Sequence, residues 1–264
     1  MDNNKITAPR LMEMKVRGEK ISVLTAYDYV WGKLMDESGI DVALVGDSLG
    51  MVVLGYETTL QVTMDDMVRH TAAVARGAKR ALVVADMPFL SFQVSEEEAV
   101  RNAGRLVQEA NAQAVKMEGS DHLIGTVRRI VDIGIPVMGH VGMTPQSVHQ
   151  YGGFKMQGKD AEHAERIRKE ALALQSAGVF SIVLEAIPAA LAKEITQSLA
   201  VPTIGIGAGP DCDGHVLVSH DMLGLYDRFV PSYVKQYASL WQVTLDAFKA
   251  YNSDIKERRY PEGK

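Results

Sequence analysis

The sequence predicts an α/β protein, a (β/α)8 TIM barrel, from three observations. Eight apolar strand-like runs alternate with helical stretches along most of the chain. The length of 264 residues suits one barrel, a fold that needs roughly 250. Five of the runs end in or carry an acid, a lysine or an imidazole, residues that a buried strand otherwise avoids. In a parallel barrel all C-terminal strand ends meet on one face, so such residues converge in space. Converging carboxylates repel one another and resist desolvation unless a cation or a catalytic duty compensates. The chain therefore reads as a metal-dependent enzyme.

Taken in order, Pro9–Glu19 is a helix outside the repeat, and Ile21–Thr25 is the first strand. Val42–Val45 is the second, with Asp47 just beyond it. Thr63–Arg76 follows as a helix, with Thr63 as the cap and Asp66 three residues on. Ala81–Asp86 is the third strand, and it can extend one residue to Met87, because the residue preceding Pro88 is kept out of helix. Ser95–Asn111 opens on the capping pair Ser95 and Glu98, with Glu96 and Glu97 at the positive helix end. Ala114–Glu118 is the fourth strand, and the helix Ser120–Ile133 stops at Gly134. Pro136–His140 is the fifth strand, and the helix Asp160–Ala177 stops at Gly178. Ser181–Glu185 is the sixth strand, and Pro188 opens the helix Pro188–Leu199. Thr203–Ile206 and Val216–Ser219 complete the eight.

Pro231–Tyr251 reads as a C-terminal helix with Tyr233, Tyr237, Leu240, Trp241, Leu245 and Phe248 on one stripe. Such a stripe packs against the barrel or against a neighbouring subunit. Lys256–Lys264 reads as a mobile charged tail. With no Ser/Gly/Pro-rich linker and no shift in composition, residues 1–264 read as a single domain.

The composition excludes several classes of function. A hydrophobic share of 47% can fill a core, which argues against disorder. A net charge of −5 argues against nucleic acid as a partner. Cys212 is the only cysteine, so no intrachain disulfide can form, and a reducing compartment fits. The polar start MDNNKITAPR lacks a signal-peptide core. No apolar run approaches the roughly 18 residues of a membrane span. The expectation is a soluble, cytoplasmic protein with no membrane partner.

Several polar residues are candidates for chemistry. Asp47 and Ser48 lie in Gly46–Gly50, where glycines allow close approach to a ligand and Ser48 offers a hydroxyl and an N–H. The plainer alternative for Asp47 and for Asp86 is a turn or cap acid. Lys116 and Glu118 are two apart and share one strand face, and the alternative for them is a structural ion pair. His140 is read as a hydrogen-bonded structural histidine. Glu185 closes an apolar strand, where a carboxylate can act as a base, or else serves as a cap before Pro188. Asp47, Asp86 and Glu118 together offer hard oxygen ligands, which suit Mg2+. The histidines do not fall at H-E-x-x-H spacing, and no phosphate-binding G-x-x-x-x-G-K-[ST] loop is present. The glycines of Gly205–Gly209 lack the third spaced glycine of a dinucleotide loop, and in a barrel such a loop can bind an anionic group.

Blocks from Ile21 to Val230 resemble the ketopantoate hydroxymethyltransferase family. They are LTAYDY (24–29), VGDSLG (45–50), HTAA (70–73), ADMPF (85–89), VKMEG (115–119), GHVGMTPQS (139–147), YGGFKMQG (151–158), VLEAIP (183–188) and IGIGAG (204–209). The resemblance implies a barrel of the phosphoenolpyruvate/pyruvate-binding type, with an added N-terminal helix and a C-terminal helical segment. It implies one Mg2+ per subunit on Asp47, Asp86 and Glu118. Asp47, Ser48, Asp86 and Lys116 would bind a ketoacid, Lys116 would also aid catalysis, and Glu185 would be the proton acceptor.

The implied reaction transfers a hydroxymethyl group from 5,10-methylenetetrahydrofolate to α-ketoisovalerate through a Mg-stabilised enolate, giving ketopantoate in pantothenate biosynthesis. The implied assembly is a homodecamer. Two departures are visible. Asp213–Gly214–His215 stands where the family often has Asp-Gly-Gln, and the chain ends at Lys264 without a Glu-His-containing tail. Two other readings are a C–C or P–C lyase of related fold and a non-catalytic scaffold. Against the first, Cys212 lies far downstream of the early loop where those enzymes place a cysteine. Against the second, a scaffold has no need of Lys116, Glu118 and Glu185 at costly positions.

Overall fold

The computed structural model describes residues 5–119, 121–228 and 230–262. Its elements run α1 Ala8–Arg17, β1 Ile21–Thr25, α2 Tyr29–Glu37, β2 Val42–Val45, α3 Leu49–Val52, α4 Met64–Gly77, β3 Leu82–Asp86 and α5 Glu96–Gln108. They continue with β4 Ala114–Glu118, α6 Ile124–Asp132, β5 Val137–Gly142, α7 Val148–Tyr151, α8 Ala161–Ser176, β6 Ser181–Glu185 and α9 Ala189–Ser198. The last elements are β7 Thr203–Ile206, β8 Gly214–Leu217, α10 Ser219–Met222 and α11 Leu240–Lys256. The strands close into one barrel in sequence order, and the registered pairs are parallel. At the seam the Ile21 N–H donates to the Asp213 carbonyl at 3.0 Å.

The period-two alternation of each strand sorts its side chains into two environments. One row, including Ala43, Val45, Val83, Val115, Met117 and Leu184, packs outward with helix residues such as Met67, Val74, Leu106 and Ile130. The other row, including Val23, Val42, Leu44, Leu82, Val84 and Met138, fills the barrel. Ala8, Leu11 and Met14 of α1 join this inner cluster at three-residue spacing, so the extra N-terminal helix contributes its apolar face to the barrel interior. Further along each strand the inner row turns polar. β3 runs Leu82, Val84, Asp86, β4 runs Ala114, Lys116, Glu118, and β5 runs Met138, His140. Apolar filling therefore supports the polar layer from below.

The cap residues act as expected, although the capping box is reciprocal only at Thr63 and Asp66, the Ser95 end showing the hydroxyl cap alone. Thr63 and Asp66 form a reciprocal capping box on α4. The Ser95 hydroxyl accepts from the Glu98 N–H at 3.1 Å, and Asp160 caps α8. Ser120, where the fourth helix is expected to begin, lies outside the described residues, as do Gly263 and Lys264 of the tail.

Two boundaries correct the sequence reading. The eighth strand is Gly214–Leu217 rather than Val216–Ser219, pairing Gly214 with Ile204 and His215 with Gly205. A Cβ at residue 214 would stand 2.4 Å from the Ile21 carbonyl oxygen, so only glycine allows this approach. The predicted helix Pro231–Tyr251 begins nine residues late, at Leu240, and runs on to Lys256. The amides of Tyr237, Leu240 and Trp241 donate to the carbonyls of Met222, Leu223 and Gly224, so they are not available for a helix through Tyr237.

Two compact units are distinguishable, Met1–Val216 and Leu217–Lys264. The second contains α10 and α11. No residue of α11 is buried, and Trp241, Val243, Phe248 and Tyr251 are exposed. Among the described residues no helix is long and apolar enough to cross a membrane.

Candidate active site

The polar layer lies at the C-terminal ends of β3 to β6, with Asp47 just past β2. Parallel register sets Asp86 beside Lys116, and Glu118 beside His140. Asp47, Asp86, Lys116, Glu118 and His140 are all buried. The Lys116 ammonium donates to Asp86 Oδ1 at 2.7 Å, and the Asp47 N–H donates to Asp86 Oδ2 at 3.0 Å. Asp86 is therefore held from both sides. Ser48 Oγ lies 2.9 Å from the Tyr27 hydroxyl. A Cβ on Gly46 would meet Ser48 Oγ at 2.7 Å and Asp86 Oδ2 at 3.5 Å, which places Ser48 at the same cluster.

Glu185 reaches the cluster through His140. Nε2 of that ring lies 3.2 Å from Glu185 Oε2, and Nδ1 lies 3.9 Å from Glu118 Oε1. Neither nitrogen makes a well-aligned hydrogen bond. The sequence reading of a hydrogen-bonded structural histidine is therefore replaced by a buried imidazole lodged between two acids. Burial, and then the Lys116 charge, lower its pKa and keep it neutral.

The Glu185 side chain is 17% exposed, against 5% for Asp86 and 7% for Glu118, so it is the more accessible acid. Its backbone is clamped. The Met143 N–H donates to the Glu185 carbonyl, the Ala186 N–H donates to Ile206 O, and the Gln157 N–H donates to Ala186 O. Ala186 takes φ +46, a left-handed turn unusual for a residue with a side chain. Opposite Glu185, a Cβ on Gly142 would stand 2.3 Å from the Glu185 carbonyl oxygen, so glycine is required there.

The electrostatics leave negative charge uncompensated. Burial, and then Asp86, push the Asp47 pKa up to about 7. Burial, and then Asp47, raise Glu118 well above the ordinary carboxylate range. Burial alone would lower the Lys116 pKa, but Asp86, Asp47 and Glu118 together raise it, so the ammonium stays charged. One lysine thus faces three acids, Asp86, Asp47 and Glu118.

Among the described residues no three His, Cys, Asp or Glu side chains are already gathered as a coordination sphere. The hydrogen bonds supply the reason. Both oxygens of Asp86 and both of Glu118 face protein donors, and Asp47 Oδ2 faces the Gln146 amide. Of the two Asp47 oxygens, Oδ2 is the one that the Gln146 amide holds. The donor chemistry fits a hard divalent cation, with buried oxygen donors and excess negative charge. Mg2+ keeps several waters and needs few direct protein ligands.

Sequence reasoning assigned no role to Gln146 or Tyr27, both of which touch the cluster. Each stands inside a quoted block, but a single glutamine or tyrosine carries no periodic signal.

The fold and this site define a class, a (β/α)8 barrel with an acid- and lysine-lined C-terminal face. Solved structures of that architecture include 2,3-dimethylmalate lyase of the PEP mutase/isocitrate lyase superfamily. It superposes with TM-score 0.62 over 97% of this chain and 90% of that one, at 16% identity. Phosphonopyruvate hydrolase in complex with oxalate and Mg2+ superposes with TM-score 0.62 over 81% of each chain, at 12% identity. These likenesses show the fold. The chain itself belongs to the ketopantoate hydroxymethyltransferase family, whose pattern matches residues 5–263. The 3-methyl-2-oxobutanoate hydroxymethyltransferase of Moorella thermoacetica is 56% identical over 98% of this chain and 96% of its own length. That of Syntrophus aciditrophicus is 57% identical over 98% and 95%.

Proposed function

We propose that the chain transfers a hydroxymethyl group from 5,10-methylenetetrahydrofolate to α-ketoisovalerate (3-methyl-2-oxobutanoate), giving ketopantoate. The observation that carries this reading is the buried Asp47–Asp86–Lys116–Glu118 cluster with the more accessible Glu185 at its edge. A small anionic ketoacid needs both a positive anchor and a base beside its C3 proton, and this arrangement supplies both. The relatives' names support the same substrate.

Asp47, Asp86 and Glu118 would hold Mg2+. Bound there, the cation would polarise the keto group and offset the charge that develops on its oxygen. Ser48 would orient the carboxylate end through its hydroxyl, steadied by the Tyr27 hydroxyl, while Asp47 and Asp86 would meet the ketoacid through the cation they hold. Lys116 offsets further charge from within the cluster. Glu185 takes the proton from C3, held on its clamped backbone against His140. Water releases the methylene carbon of the folate donor as formaldehyde, and tetrahydrofolate leaves. The C3 carbanion equivalent attacks that carbonyl carbon, and the resulting alkoxide oxygen takes up the proton that Glu185 removed. The exposed apolar residues of α11 support the homo-oligomer, a decamer by family resemblance.

The pH dependence of stability follows from the raised acids. In the folded chain burial and Asp86 hold the Asp47 pKa up at about 7, well above the ordinary carboxylate range at about 4. Between those values the folded chain binds more protons than the unfolded one, so stability falls as pH rises from about 4 to about 7. A bound cation removes that penalty. Thermal melts should show a larger stabilisation by Mg2+ at pH 8 than at pH 5.5. An equal shift at both pH values would contradict the metal assignment.

The reaction is tested by incubating the protein with α-ketoisovalerate, methylenetetrahydrofolate and Mg2+ and following ketopantoate by mass spectrometry. Product that requires all three supports the reading. Cleavage of 2,3-dimethylmalate or phosphonopyruvate, without ketopantoate, would favour the lyase alternative.

A further inference from the structure

Gln146 touches carboxyl groups that come from two different strand ends. It stands in the 3-10 turn Pro145–Ser147 after β5 and is 8% exposed. Its backbone N–H donates to Glu118, 3.1 Å from Oε2 and 3.4 Å from Oε1. Its side-chain Nε2 donates to Asp47 Oδ2 and to Met87 O, each at 3.0 Å. Both amide hydrogens are thereby used. Its Oε1 accepts from Gln93 Nε2 at 3.1 Å, and Gln93 Oε1 in turn accepts from the Phe92 N–H at 3.3 Å.

This chain fixes which end of the carboxamide faces the acids. A backbone carbonyl only accepts, and so does an ionised carboxylate. Turning Gln146 over would aim its oxygen at both and leave Gln93 Nε2 facing an NH2 group. The donor end must therefore face Asp47. A neutral amide has a further property. It restrains Asp47, one of two mutually repelling acids, without adding a positive charge that would compete with a cation. A lysine or arginine at this position would neutralise the site instead.

We infer that Gln146 is a positioning residue for the metal-binding acids, with Gln93 holding it from the β3–α5 loop. It fixes Asp47 by Oδ2, leaves Oδ1 to the ligand, and steadies Glu118 through its backbone N–H. This inference rests on the reading of Asp47 and Glu118 as metal ligands.

The test is Mn2+ binding, followed by electron spin resonance in the absence of ketoacid. It compares the wild-type chain with Gln146→Met, Gln93→Met and the double variant. Methionine keeps the volume and removes the donors. Loss of such an outer-shell partner costs about 10–100-fold in metal affinity, so that is the loss expected for Q146M. Q93M should lose less, and the double variant should be no worse than Q146M, because Gln93 acts through Gln146. At saturating Mg2+, Q146M should keep kcat within a few-fold while the Mg2+ concentration for half-maximal rate rises. A packing role would be satisfied by methionine, so wild-type Mn2+ affinity in a folded Q146M overturns the inference. If Q146M does not fold, the partly exposed Gln93 carries the test, and wild-type affinity in Q93M overturns the inference. Absence of Mn2+ binding by the wild-type chain would overturn the metal reading itself, and the inference with it.

Discussion

Glu185→Gln should fold, bind Mg2+ as the wild-type chain does, and lose turnover by about a hundredfold to ten-thousandfold, the usual contribution of a positioned general base. The substitution keeps shape and hydrogen-bonding reach while removing the carboxylate proposed to accept the C3 proton. The backbone clamps at Met143, Ala186 and Gln157 do not involve the side chain, so they hold glutamine equally well. His140 lies 3.2 Å from the carboxyl oxygen and can face an amide without a charge penalty, because burial and Lys116 already keep it neutral. The loss should fall on kcat with little change in the ketoacid KM, since Glu185 acts on a transferring proton rather than on the bound carboxylate. Turnover near wild type would remove Glu185 from the base role. Loss of metal binding as well would mean that Glu185 belongs to the ligand set.

Lys116→Met should cost stability on a comparable scale. Among the described residues the ammonium is the one cation within the buried acid cluster, 2.7 Å from Asp86. Its charge also lowers the pKa of Asp47 and Glu118. Breaking a buried pair from one side leaves an uncompensated charge and costs about 3–5 kcal/mol. For a chain of this size that lowers the melting temperature by about 10 °C. The loss should shrink toward pH 5, where the raised acids are protonated in the folded state. Adding Asp86→Asn should recover part of it, because the orphaned carboxylate goes too. A Lys116→Met chain that melts within a degree or two of wild type at pH 8 would show that solvent or another cation already compensates these acids.

Much of this arrangement is legible in the sequence because strand alternation is a strict rule. Asp86, Lys116 and Glu118 each stand at an inward position of an otherwise apolar strand, and parallel closure brings such positions to one face. The capping pairs at Thr63 and Asp66 are legible for the same reason, as local chemistry at fixed spacing. What the sequence hides depends on contacts distant along the chain. Gln146 lies 99 residues from Asp47, and no periodicity links a loop amide to a carboxylate on another strand end. Gly214 begins a strand because it passes close to Ile21 across the barrel seam. Locally, Asp213–Gly214 reads as a turn. Tyr233 and Tyr237 stand at helical spacing, yet the Tyr237 amide is bound to Met222. Spacing cannot reveal a competing hydrogen bond. His140 reads in the sequence as a satisfied core histidine because its two acidic neighbours come from β4 and β6, outside its own segment.

In the proposed reaction these acids and a divalent cation labilise the C3 proton of α-ketoisovalerate. The direct measurement is proton NMR of that ketoacid in D2O with the purified protein, with and without Mg2+, in the absence of folate. The account predicts loss of the C3 proton signal that depends on Mg2+ and is abolished in Glu185→Gln. Persistence of that signal with folded, Mg2+-bound protein, both before and after adding tetrahydrofolate, would contradict it.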